Sequence, residues 1–161
     1  MLRPVLKEPN MIYRHTQRAP LCVLLYVLAA AEVALAWTFR NELPLVWTHS
    51  IAGAFILVLA ASFHHLTVED QEDTLAIAFG PVPLFRRRVP YATIVGATVD
   101  RTTILDGWGI HLSLRGGWVW NIWGRDCVRL QLRRGALRVG TDDAENLAHF
   151  VSQKIAGEAR A

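Results

Sequence analysis

The sequence predicts a hairpin of two transmembrane helices joined to a mainly-β domain that a C-terminal helix closes. Three observations predict it. Residues 20–63 are almost uniformly apolar, with Glu32, Arg40 and Glu42 their only charged side chains. From Leu66 onward, short apolar runs alternate with Gly, Pro and Asp turn signals. After Thr141 the apolar residues recur at helical spacing. A chain of 161 residues has room for an anchor and one small domain. The expected divisions are a basic tail over 1–19, the hairpin over 20–63 and the β-rich domain over 64–161.

The first run, residues 20–39, would reach about 30 Å as a helix, the thickness of a bilayer's hydrocarbon core. Strongly apolar residues such as Leu21, Leu24, Val27 and Val33 each favour insertion by about 0.3–0.6 kcal/mol, and one charge near the centre costs about 2.5–3.5 kcal/mol. The sum favours the bilayer. The second run, residues 45–63, carries no charge and is also long enough to span. Arg40 to Pro44 suffices only for a tight turn, and Pro44 suits a helix start. A signal peptide fits poorly, because a long basic segment precedes the run and a second run follows it. Buried core helices fit poorly too, since neither run has a polar face.

Charge sets the orientation. Arg3, Lys7, Arg14 and Arg18 precede the first run, while only Arg40 is basic in the turn. The positive-inside rule therefore keeps the tail in the cytoplasm, and two crossings return the chain to that side. Glu69, Asp70, Glu72 and Asp73 follow the second run and do not reinforce this bias. Residues 64–161 contain twelve Lys and Arg against eleven Asp and Glu, which gives no support for a nucleic-acid partner. Cys22 and Cys127 lie far apart without metal-binding spacing, and unpaired thiols suit a reducing compartment.

Behind the anchor, Leu66–Val68, Leu75–Phe79, Leu84–Val89, Ile94–Thr102, Gly109–Leu114, Trp118–Asn121, Val128–Leu132 and Leu137–Val139 read as strands. The expected layout is an antiparallel barrel or sandwich of about seven strands. Asp142 and Glu145 have capping-box spacing, and Ala144, Leu147, Ala148, Val151 and Ile155 form the stripe of a closing helix.

The segment Leu75-Ala76-Ile77-Ala78-Phe79-Gly80, followed by Leu84-Phe85-Arg86-Arg87-Arg88-Val89-Pro90-Tyr91 and Ile94, resembles the front half of bacterial pleckstrin-homology-like domains. Leu137 to Glu145 with its helix resembles the end of the same domains. The resemblance implies a PH-like barrel or sandwich over residues 64–156, behind a two-helix anchor in a bacterial inner membrane. It implies no catalytic residues, because that family shares none.

Five residues are candidates for binding anionic lipid or a protein partner. Arg86, Arg87 and Arg88 form the densest cationic cluster, each worth about 1 kcal/mol near an anionic surface. Strand alternation divides them between two faces, and charge on a strand edge also guards against edge-to-edge pairing. Trp118 and Trp120 share one face and read either as a groove or, more plainly, as core. Within the hairpin, Glu32 lies about one turn in depth from His49 and Ser50, with Ala29 and Ala36 beside it. Small residues there let a helix approach, so Glu32 is expected to meet His49 or Ser50 inside the hairpin or at an oligomer interface.

No phosphate loop, nucleophile motif, metal spacing or cofactor motif is present, so catalytic residues, metal and cofactor are all expected to be none. The expected work is binding or scaffolding at the inner face of the membrane. The partners would be the lipid bilayer and a membrane protein or a second copy of the chain. An accessory subunit of a transporter or enzyme complex is the alternative.

Overall fold

The structure, a computed structural model, describes residues 12–20, 22–103 and 106–158. Arg3, Lys7 and Leu21 lie outside the described residues. Strand β1 (Arg14–Arg18) precedes helices α1 (Cys22–Thr38) and α2 (Leu43–Ser62). Strands β2 (His65–Gln71), β3 (Thr74–Gly80), β4 (Arg86–Pro90) and β5 (Ile94–Arg101) follow. Next come β6 (Gly109–Leu112), β7 (Trp118–Asn121), β8 (Asp126–Leu132), β9 (Ala136–Gly140) and helix α3 (Ala144–Glu158). The strands form two sheets, β1-β2-β3-β4 and β5-β8-β9-β7-β6.

The hairpin folds as two apolar helices packed on one another, with Pro44 in the first turn of α2. α1 has 17 residues and α2 has 20, or about 25 and 30 Å of helix. Among the described residues, α2 alone is long and apolar enough to cross a membrane by length and composition. The 20-residue first helix expected over 20–39 is thus shorter. Phe39 and Arg40 already belong to the turn, where the Glu42 amide donates to the Phe39 carbonyl.

The segment expected as a tail contributes a strand. β1 pairs antiparallel with β2 from Arg14 opposite Glu69 to Arg18 opposite His65. Its Gln17 is almost fully buried, and its side chain donates to the Trp123 carbonyl. The hairpin is therefore an insertion between two adjacent strands of one sheet. The alternation that marks a strand is weak in Arg-His-Thr-Gln-Arg, since the buried positions are held by polar residues.

Two separate sheets replace the barrel, and the strands are not all antiparallel, because β7 runs parallel to β9. Missing side chains make that pairing possible. A Cβ on Gly117 would lie 2.4 Å from the Ala136 carbonyl oxygen, and one on Gly140 would collide with the Asn121 side chain. One apolar core joins both sheets and α3, with Leu66, Ile77, Phe79, Leu130, Val139, Leu147 and Val151 among its fully buried members.

A second, polar interior lies on the other face of the β5–β9 sheet. The Arg138 guanidinium is 1% exposed; its Nε donates to Asp100 at 2.9 Å and its Nη1 to the Gly116 carbonyl at 2.8 Å. Asp106 accepts from the Thr103 amide and hydroxyl. Burial alone would raise the Asp106 pKa, but hydrogen bonding from Ser113 and Thr103 and the charge of Arg138 bring it from 3.8 to about 2. A depressed carboxylate stabilises the fold above its unfolded pKa and stops doing so as pH falls through the folded one. Asp106→Asn should therefore lower stability at pH 7 by about 1–2 kcal/mol, the scale of a charge-assisted hydrogen bond. Thermal unfolding followed by circular dichroism should also show a smaller loss between pH 4 and pH 2 than in the parent chain.

Candidate functional site

Three regions carry the residues that the sequence singles out. The first is inside the hairpin. Glu32 Oε2 lies 2.7 Å from His49 Nδ1, and the Phe39 ring stacks on His49 with centroids 5.8 Å apart. Gly53 brings the helices this close: a Cβ there would lie 3.1 Å from Glu32 Cβ and 3.5 Å from the Ala29 carbonyl oxygen. Ser50 does not join the pair. It lines a shallow groove of about 440 Å³ with Ala29, Ala30, Ala36, Gly53 and Ala54 on another side of the hairpin.

The second region is the outer face of the β1–β4 sheet. Arg86 and Arg88 are exposed, whereas Arg87 is half-buried on the core side of the edge strand β4, opposite Ile77. Registers put Arg18, Thr16 and Arg14 on the same outer face, alongside Ala78 and Ala76. Glu69 is the carboxylate on that face. The triplet is therefore not one patch; two of its members share a face with two arginines of β1.

The tryptophans do not form a single groove. Trp120 is buried against Phe79, with ring centroids 5.8 Å apart, while Trp118 is half exposed. Trp118 sits opposite Leu112 at the end of β6, and Leu112 and Leu114 are both exposed. Trp108 and Trp123 stack at 4.8 Å, beside the Gln17 contact. The same-face rule gave Trp118 and Trp120 one direction, but the core ends between them.

The third region, at the base of the hairpin, was not singled out as a site by sequence. The Ala19 amide donates to the His64 carbonyl, and Cys22 and Tyr26 approach His64 Nδ1 at 3.6 and 3.4 Å. Burial, then the neighbouring His64 and Arg18, lowers the pKa of His65. Phe63, just after α2, packs on Phe79 and Phe85 with centroids 5.2 and 5.4 Å away. Val82 and Leu84, in the loop between β3 and β4, are exposed.

The remaining polar contacts serve the fold. Tyr13 donates to Asp143, and His15 pairs with Asp142, which ties the start of β1 to the entrance of α3. Tyr91 and Lys154 both reach Asp70. Burial, then the charge of Asp100, pushes the Cys127 thiol up to about 12, so it is no nucleophile at neutral pH. Among the described residues, no three His, Cys, Asp or Glu side chains are grouped to hold a metal. No protein-family model matches the chain, and no curated protein matches it significantly.

The hairpin geometry makes Gly53 the sensitive position. Gly53→Leu should push the helices apart, break the Glu32–His49 contact and destabilise the hairpin by about 1–3 kcal/mol, as overpacking does. Glu32→Gln should cost less, about 0.5–1.5 kcal/mol, the net contribution of one hydrogen bond. Thermal unfolding in detergent with both variants checks this order.

Proposed function

We propose that the chain is a non-catalytic binding module held on a bacterial inner membrane by its helical hairpin, with a pleckstrin-homology-like domain on the cytoplasmic side. One observation carries the anchor. Both helices expose apolar side chains around their outer surface, including Val23, Val27, Val33, Ile51 and Phe55, each at least 60% exposed. A core helix of a water-soluble domain would bury them. Trp37, Arg40 and Trp47 gather at the turn, with Arg40 over the Trp37 ring, as suits a membrane–water interface. α1 is short for a span, and its 17 residues stand at the lower end of what a bilayer accepts.

The domain supports the family reading through its succession of strands and the C-terminal helix laid on β5 and β8. The parallel β7–β9 pair departs from the antiparallel plan. Binding of a protein partner is supported by Leu112, Leu114 and Trp118, an apolar group exposed at the tip of the β6–β7 hairpin. The alternative, an accessory subunit within a larger membrane complex, is favoured by the small-residue groove beside Ser50, which fits a further helix.

Orientation is tested with a reporter enzyme that works only outside the cytoplasm. It should be silent when fused after Ala161 and active when inserted at Asn41, and the reverse pattern refutes the cytoplasmic assignment.

Partner binding is tested by a photo-crosslinking residue at Leu114 in intact membranes. A discrete adduct that disappears in Trp118→Glu supports the domain surface, and an adduct of twice the chain mass identifies a second copy. Adducts only from a probe at Ala54 favour the accessory-subunit alternative.

A further inference from the structure

Strand registers arrange the charge of the β1–β4 sheet along its length. β2 leaves the hairpin at His65 and reaches the β2–β3 turn at Glu72 and Asp73. At about 3.3 Å per residue, Glu69 stands about 13 Å from His65, and the turn about 23 Å. Every carboxylate of this stretch is thus remote from the hairpin, although Glu69 comes only seven residues after the end of α2. The opposite end is cationic, with Arg18 paired to His65 and Arg86 two residues further from the hairpin on the same face, opposite Ala78.

The same end carries an apolar loop. β3 runs back toward the hairpin, and Gly80 draws level with His65. The Phe79 amide donates to the Phe85 carbonyl at 2.9 Å, so residues 80–84 turn the chain beyond that level, on the helix side. Gly80-Pro81-Val82-Pro83-Leu84 has no charged or polar side chain. Val82 is 37% and Leu84 55% exposed, while Phe85 is held on Phe63 at the foot of α2. An apolar tip beside a helix end, flanked by arginines and without nearby carboxylates, has the composition of an interfacial membrane contact.

We propose that the β3–β4 loop is a wedge into the bilayer surface: Val82 and Leu84 enter the boundary between headgroups and acyl chains, and Arg18 and Arg86 bind the phosphates of anionic lipids. This rests on the anchor reading, which supplies the bilayer at the level of Phe63. The wedge adds a third attachment to the two helix ends and fixes how the domain stands on the membrane. Arg88, about 7 Å further along β4, stays clear of the surface.

The test uses the full chain in nanodiscs of phosphatidylcholine, with and without phosphatidylglycerol. An environment-sensitive fluorophore is attached at Leu84→Cys, Phe55→Cys or Glu72→Cys, with the parent chain as background for the buried Cys22 and Cys127. Position 84 should be quenched by doxyl lipid, as position 55 is, and position 72 by aqueous iodide. Adding Arg18→Ser and Arg86→Ser should move the position-84 probe toward iodide quenching in the anionic nanodiscs and leave it unchanged in neutral ones. If position 84 behaves like 72 while 55 remains lipid-quenched, the wedge is wrong and the anchor stands. If position 55 is also quenched by iodide, the anchor reading fails and the wedge with it. An unchanged signal in the arginine variant removes the phosphate contact from the proposal. Val82→Cys provides the same readout should Leu84→Cys not fold.

Discussion

The antiparallel pairing of β1 with β2 holds the two parts of the molecule together. Five backbone pairs and the Ala19–His64 bond close the ends of the helical hairpin onto one sheet. The connections are three residues (19–21) and two residues (63–64) long, which leaves little freedom for the hairpin to swing. A single crossing helix would leave a domain tethered by a strand of chain, free to tumble. Here the chain enters and leaves the hairpin through neighbouring strands, so the position of the helices and of the sheet are one geometric fact. It also forces both ends of the hairpin to the same side of whatever the hairpin enters.

That closure explains the charge distribution. β2 and β3 carry Glu69, Asp70, Glu72 and Asp73 away from the hairpin in the rigid spacing of extended chain. A flexible linker would let those carboxylates fold back beside the helix ends, where an anionic surface would repel them. Lys154 and Tyr91 hold Asp70 at the far end, and Lys154 also lies over the Phe150 ring. The acidic stretch that follows α2 in the sequence therefore does not stand against the arginines at the base.

The second sheet is organised around Arg138. A guanidinium at 1% exposure needs partners for its donors, and it finds Asp100 and the Gly116 carbonyl. Asp100 is shared with Arg115, which in turn holds the Arg101 carbonyl. Three segments distant in sequence thus meet at one cation. Removing the arginine would leave the Gly116 carbonyl without this donor and Asp100 with Arg115 as its remaining cationic partner. The β6–β7 hairpin, with its exposed Leu112, Leu114 and Trp118, is positioned by this cluster together with the apolar core, which takes up Trp120.

The sequence by itself determined the helical hairpin, most of the strand segments and the C-terminal helix, because each is a local pattern: uniform apolarity, period-two runs between turn residues, and an apolar stripe after a capping signal. It also placed Glu32 within about one turn in depth of His49 and Ser50, since depth in a hairpin is a count of residues from the turn, but only the structure chose His49. Only the tertiary structure decided the rest. β1 was illegible because its inward positions are a buried Gln17 and a half-buried His15, whose place in a sheet depends on partners at Trp123 and Asp142. The parallel β7–β9 pairing depends on two glycines meeting backbone and side chain far away in sequence. Strand alternation separated Arg87 from Arg86 and Arg88, but the company of Arg14 and Arg18 came from register. The face of Trp118 and Trp120 was correctly shared, yet where the core stops along that face is set by the opposing sheet, which no local pattern encodes.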